Sequence, residues 1–324
     1  MSMNIIETKN LTKKFEEIIA VDNLNLEIEE GEIFGLLGPN GAGKTTTLLM
    51  LTTLKPPTSG TATINHFDIV KQPDQVRKSI GIVFQDPSSD EILTGYENLK
   101  LHGWLYDMPD DLREERIKEV LQLVDLTDRK DDRVKKYSGG MRRRLELARG
   151  LMHHPKILFL DEPTLGLDPQ SREYIWQYIE KLSKEKKMTI IITTHYMDEA
   201  DKLCDRLAII DHGKIVVLGS PKKLKKELGG DIVRLKAKKL NLEMLENLSY
   251  VKKVSKCDGE VCLTVDDANM HIQEILTIVG KVESVEIRSP TLDDVFLHYT
   301  GRAIREGNAE GGWAEKAMNA RSKS

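Results

Sequence analysis

Leu24, Leu26 and Ile28 alternate with polar residues, the period of a half-buried strand. Residues 4 to 37 as a whole read as strands joined by turns, with Glu29-Glu30-Gly31-Glu32 turning the chain into the apolar run Ile33–Leu37. A helix is expected over Thr46 to Leu54, stopped by Lys55-Pro56-Pro57. Thr58-Ser59-Gly60 reads as a turn before a strand at 61–64, and 80–84 reads as another strand. From about 88 to 152 the period becomes helical. Ile117, Val120, Leu121 and Val124 form one stripe, and Met141, Leu145, Ala148 and Met152 a second.

Strands then return. Ile157–Leu160 and Thr189–Thr193 are continuous runs, as parallel strands covered on both faces require. Helices are expected over 171–185 and about 197–204, and 207–210 and 215–218 flank Asp211-His212-Gly213-Lys214 as a hairpin. The lysine-rich 222–226 reads as a solvated exit from a first domain of residues 4–220. Residues 231 to 288 then read strand, helix, strand, strand, helix, strand, the order of a small ferredoxin-like α+β domain spanning about 228–300 with a short closing helix at 291–299. The polar tail from 303, with Trp313, is expected to be poorly ordered.

Composition narrows the class. The 324 residues carry a formal net charge of −4, which gives no electrostatic case for a nucleic acid partner. No apolar run approaches the roughly 20 residues of a spanning helix, and Met1-Ser2-Met3-Asn4 has no signal-peptide character. Cys204, Cys257 and Cys262 have no metal-ligand spacing and read as reduced thiols of a cytosolic protein.

The chemistry is concentrated at strand ends. Gly38, Pro39, Asn40, Gly41, Ala42, Gly43, Lys44, Thr45 and Thr46 follow a strand and open a helix, with the spacing of a phosphate loop. Glycines permit close backbone approach to a polyphosphate. Lys44 is expected to reach the β- and γ-phosphates, and the Thr45 hydroxyl to ligate Mg²⁺. Asp161 ends a buried strand and is expected to hold Mg²⁺ directly or through water, while Glu162 is the candidate to orient or deprotonate the attacking water. Gln85, after Ile82-Val83-Phe84, is a candidate contact to Mg²⁺ or the water, or a reporter of occupancy. His195 stands at another strand end, within reach of a γ-phosphate; His153 and His154 read as structural. Ser138, Gly139 and Gly140 open a helix and make a second anion site.

Taken together, these motifs resemble the ATP-binding subunit of an ABC transporter over residues 4 to 220. Gly38–Thr45 resemble its Walker A motif, Ile157–Glu162 its Walker B, and Gln85 its Q-loop. Tyr137–Met141 resemble its signature, Leu165-Gly166-Leu167-Asp168 its D-loop, and His195 its switch histidine. Phe15 stands where the family stacks an aromatic on adenine. Tyr137 and Met141 depart from the commoner signature, Leu-Ser-Gly-Gly-Gln, and with Arg142-Arg143-Arg144 and Pro290–Leu297 are similar to the daunorubicin-resistance exporter branch.

The resemblance implies an α/β P-loop NTPase fold with an inserted helical subdomain. It also implies a head-to-tail homodimer that sandwiches two ATP, with Ser138, Gly139, Gly140 and Asp168 counted among the nucleotide contacts. A separate integral-membrane permease docking near Thr94–Leu99, and a place on the inner face of the cell membrane, are implied too. A soluble ABC-type ATPase uncoupled from transport is the alternative; a P-loop kinase leaves Tyr137–Met141 unexplained.

Overall fold

A computed structural model describes residues 4–236, 242–257 and 260–301, in two compact units that part at Leu218 and Gly219. The first unit begins with β1 (Asn4–Phe15), β2 (Ile18–Glu29) and β3 (Ile33–Leu37). β2 buries Leu24, Leu26 and Ile28 and exposes the residues between, as its alternation dictates. After β3 come α1 (Lys44–Leu51), β4 (Ser59–Ile64), β5 (Phe67–Asp68), α2 (Pro73–Ser79) and β6 (Ile80–Val83). The helical insertion holds α3 (Gly95–Leu105), α4 (Asp110–Leu123) and α5 (Gly139–Leu151). Then follow β7 (Ile157–Asp161), α6 (Pro169–Lys186), β8 (Thr189–Thr194), α7 (Met197–Leu203), β9 (Arg206–Asp211) and β10 (Lys214–Gly219).

Two sheets carry this unit. β2-β1-β4-β5 is antiparallel, and the other runs β10-β9-β3-β8-β7-β6, parallel from β9 through to β6. β3, β7 and β8 are buried at every position, which is why they read as unbroken apolar runs. A shared core that includes Phe34, Leu36, Leu48, Ile64 and Phe159 lies between the sheets and α1. Strand ends thus meet the loops along one edge, where parallel α/β sheets place ligands.

Three local expectations shift. Helix α1 starts at Lys44 and stops at Leu51, before the prolines, because Thr52 already takes the cap position. Ser59 and Gly60 belong to β4: Gly60 has φ +78°, and a Cβ there would sit 2.1 Å from the Asn10 carbonyl oxygen, so a glycine bulge lets pairing begin early. The helical insertion begins at Gly95; residues 88–94 are loop, and Thr94 caps α3 in a reciprocal box with Glu97.

The second unit opens with α8 (Pro221–Glu227), so the lysine-rich segment is a helix of this unit, capped by Ser220. It continues with β11 (Asp231–Lys236), α9 (Leu242–Glu246), β12 (Val251–Cys257), β13 (Glu260–Val265), α10 (Ala268–Val279), β14 (Ser284–Arg288) and α11 (Leu292–Thr300). The strands form one antiparallel sheet, β12-β13-β11-β14, over a core of Val233, Leu235, Leu263, Val265 and Ile275. Arg288 and Thr291 both bond Asp294, which fixes the start of α11. Cys204 and Cys262 are buried thiols, not joined in a disulfide. The expected tail and Trp313 lie outside the described residues.

Candidate active site

The turn from β3 into α1 is built around positions that refuse a side chain. A Cβ on Gly38 would lie 2.2 Å from the Ile210 carbonyl oxygen. On Gly43, at φ +108°, it would lie 2.5 Å from that of Ala20. Gly41 has φ +82° and open space around it, so its conformation, not crowding, selects glycine. Two neighbours steady the loop: Thr194 accepts from Gly38 N–H at 3.3 Å, and Gly213 N–H donates to the Ala42 carbonyl at 2.9 Å. The tight β9–β10 turn, with His212 and Gly213 both at positive φ, therefore touches the loop directly.

Lys44 is buried at the first position of α1. Its ammonium donates to the Gly38 and Pro39 carbonyls at 2.7 and 3.2 Å and lies 3.5 Å from Glu162 Oε1. Burial pulls its pKa down, and the Glu162 carboxylate partly offsets that. Lys44 thus occupies the loop's own carbonyls and one carboxylate, the contacts a phosphate group would replace.

Asp161 and Glu162 sit at the end of β7, one strand away from β3 across β8. Thr45 Oγ1 donates to Asp161 Oδ1 at 3.2 Å, and Thr193 Oγ1 donates to the same oxygen. Burial raises the Asp161 pKa, with Glu162 adding to it, against those two hydroxyls. For Glu162 burial is the largest single influence and raises the pKa, yet His195 and Lys44 together outweigh it and the net shift is down. His195 Nδ1 stands 3.1 Å from Glu162 Oε2. Glu162 therefore stays ionised between a cation and an imidazole. Its φ is +47°, an uncommon region for a residue with a Cβ. Thr193 holds the conformation by accepting from Glu162 N–H with both its carbonyl and its hydroxyl, at 3.0 and 3.1 Å.

The fold brings Lys44, Thr45, Asp161, Glu162 and His195 into one cluster. It places Ser138, Asp168 and Phe15 elsewhere. Ser138 is exposed at the N-cap of α5, its hydroxyl accepting from Met141 N–H at 3.3 Å. Asp168 is the exposed cap of α6, bonded to Ser171 N–H and Oγ at 3.0 and 2.6 Å, and those bonds lower its pKa. Gln85 is exposed just after β6. Phe15 ends β1 with the Lys13 and Lys55 ammoniums 5.2 and 5.5 Å from its ring. His153 is structural in its contacts: Nε2 meets the Ile80 carbonyl at 2.8 Å, and the ring stacks on Tyr106. A cavity of about 230 Å³ lies beside Ser138 and Gly140, against Arg144, Ser171 and Tyr174.

Some participants escape sequence reading. Thr193, marked in the sequence only as the end of a strand run, donates to the Asp161 carboxylate and accepts from the Glu162 backbone N–H. Tyr137 is buried and donates to the Arg129 carbonyl at 2.7 Å, anchoring the signature turn to the loop before it. Glu199 on α7 is fully buried and accepts from Thr164 Oγ1 at 2.7 Å and Trp176 Nε1 at 3.0 Å. An H-x-x-x-E spacing after β8 is the only signal that marks it.

A buried lysine at a glycine loop, beside paired carboxylates on a parallel sheet, is the means by which phosphate-loop NTPases hold a nucleoside triphosphate against water. Residues 21–165 match the ABC transporter family model, and residues 219–300 match the ATP-binding protein DrrA1-3-like C-terminal domain. The chain is 36% identical to the linearmycin resistance ATP-binding protein LnrL of Bacillus subtilis, over 93% of this chain and 100% of that protein. It is 38% identical to the daunorubicin/doxorubicin resistance ATP-binding protein DrrA of Streptomyces peucetius, over 94% and 95%. It also superposes on a dimeric ATP-binding cassette in a post-hydrolysis state bound to ADP and Pi, with TM-score 0.60 and 31% identity, covering 66% of this chain and 98% of that one. The chain belongs to the ABC transporter family of ATP-binding proteins, and its enzymatic activity is ATP hydrolysis. Among the described residues no helix is long and apolar enough to cross a membrane.

Proposed function

We propose that the protein is the ATPase subunit of an exporter, working with a separate membrane permease on the inner face of the cell membrane. The relatives named for drug resistance, matched along nearly their full lengths, support export of a drug, lipid or other hydrophobic compound. The observation that carries the catalytic reading is the Lys44–Glu162–His195 cluster. Lys44 and the loop N–H groups bind the β- and γ-phosphates, and Phe15 stacks on adenine. Glu162, ionised and next to the phosphate site, accepts the proton of the attacking water. His195 orients Glu162 and reaches the γ-phosphate.

Thr45 and Asp161 present hard oxygens 3.2 Å apart, and burial leaves Asp161 short of a cation, so the pair fits Mg²⁺, with Gln85 as a further ligand. When bound, the ion offsets the charge on the β- and γ-phosphates.

Ser138 and Gly139 lie exposed and Gly140 half-buried at a helix N-terminus, with the Ser138 hydroxyl accepting from Met141 N–H of its own helix. That suits them to the nucleotide of a second copy, and the similar cassette's being dimeric when bound to ADP and Pi supports a two-copy assembly. ATP thus favours the closed dimer and hydrolysis reopens it.

Two measurements test this. Ser138→Arg is expected to keep ATP binding and lose ATP-dependent dimers on a sizing column; dimers that persist contradict the shared site. The full chain, purified from detergent-extracted native membranes, is expected to bring a polytopic membrane protein that changes its ATPase rate. Recovery of an active ATPase alone, from the soluble fraction, favours an ABC-type ATPase uncoupled from transport.

A further inference from the structure

Near its N-terminal end, α5 holds a charged residue that neither the sequence motifs nor the catalytic cluster explains. Arg143 is 7% exposed, one turn into the helix that Ser138 caps. Its Nε donates to the Pro163 carbonyl at 2.7 Å. One terminal nitrogen donates to the Phe84 and Gln85 carbonyls at 2.5 and 3.4 Å. The other donates to those of Asp161 and Glu162 at 3.0 and 3.2 Å. A guanidinium has five N–H groups in a fixed plane, and here they meet five carbonyls. Three of those belong to the consecutive residues Asp161, Glu162 and Pro163; the other two, on Phe84 and Gln85, follow β6 directly.

We propose that Arg143 is a positioning residue for Glu162, fixing the peptides on either side of it and the start of the loop after β6 to the helix that carries Ser138. The inference rests on the reading of Glu162 as the base. Glu162 is held at φ +47°, and a strained conformation persists only where its surroundings over-determine it. Thr193 fixes the N–H side of the residue, and Arg143 fixes its carbonyl together with those before and after. The carboxylate is thereby aimed from both ends.

The same helix holds the Q-loop further along: Glu146 accepts from Ser88 N–H at 3.2 Å and Ser89 N–H at 2.8 Å. Movement of α5 therefore reaches the carboxylate through Arg143. A lysine cannot replace it, since one ammonium with at most three donors cannot span carbonyls on three sides.

Arg143→Lys in the full chain tests the assignment through turnover and nucleotide affinity measured separately. Expected is a kcat about 10²-fold lower, the cost of a catalytic group about 1 Å out of place, with the Kd for ATP within about twofold. Arg143→Gln, whose neutral amide is cheaper to bury, should show the same split. In a Glu162→Gln background, Arg143→Lys should cost nothing further, because the two act as a unit.

Turnover of Arg143→Lys near the wild-type value, beside an inactive Glu162→Gln, overturns the proposal and leaves the base reading standing. Loss of ATP affinity in step with turnover also overturns it, since Arg143 would then serve the fold alone. A near-normal Glu162→Gln instead removes the base on which the proposal rests.

Discussion

Glu162→Gln removes one charge and keeps the shape. The amide cannot accept the water's proton, and general-base catalysis contributes about 10²–10⁴-fold, so kcat should fall by that factor, equal to about 3–5 kcal/mol of barrier. Binding should move the other way. Lys44 Nζ lies 3.5 Å from Glu162 Oε1, and at an effective dielectric constant near 20 two opposite charges at that separation attract by about 5 kcal/mol before desolvation. Most of that is offset by the burial of both groups, but what remains holds Lys44 away from an incoming phosphate. Its loss should leave ATP affinity unchanged or raise it by up to about tenfold, so that ATP-bound dimers accumulate. The assay is phosphate release by the purified full chain in Mg²⁺ and ATP, with equilibrium binding of ATP and a sizing column run in parallel. Turnover within about tenfold of wild type would refute the reasoning, because among the described residues Glu162 is the one carboxylate that forms an ion pair with Lys44.

Asp161→Asn should abolish turnover yet stabilise the nucleotide-free protein at neutral pH. Its folded pKa is raised, so its favourable contribution is present below the unfolded value and lost as pH rises through the folded one; the variant should lack that dependence, seen in thermal melts across pH 3–8. A melting temperature at neutral pH below that of wild type contradicts this. Gly38→Ala drives a methyl to 2.2 Å from the Ile210 carbonyl and should cost about 1–3 kcal/mol of stability along with ATP binding, checked by melting and nucleotide titration. Phe15→Ala should raise KM for ATP by the worth of one stacked base, about 1–3 kcal/mol, with kcat unchanged and Phe15→Trp restoring it. An unaltered KM would place adenine elsewhere.

The parts of this molecule that show in its sequence are those whose physics is local. Gly38, Gly41 and Gly43 are marked by spacing because each position forbids a side chain or needs a positive φ. Asp161 is marked because a carboxylate after four buried apolar residues has to meet a cation. Strands β7 and β8 are marked by their continuous apolar runs, and the second unit's element order by its alternation. What stays hidden depends on meeting distant residues. Arg143 sits among three arginines in sequence, and only the folded chain turns one inward to five carbonyls while Arg142 meets Glu91 and Arg144 meets the Asp125 carbonyl. Tyr137 reads as a departure from the commoner signature until its hydroxyl is seen on Arg129. The early start of β4 escapes because a glycine bulge looks like the end of a turn.

The β9–β10 turn looks, from outside, like a convenient place to cut or extend the chain. His212 is exposed at its tip, and short surface hairpins commonly accept added sequence. Gly213, next to it, is buried; its N–H donates to Ala42, and its carbonyl accepts from Asp22 N–H at 2.9 Å. An affinity tag, a fluorescent insertion or a new chain terminus engineered here would detach the phosphate loop from the antiparallel sheet. The length of this two-residue turn is fixed by nucleotide recognition, and labels are better carried elsewhere.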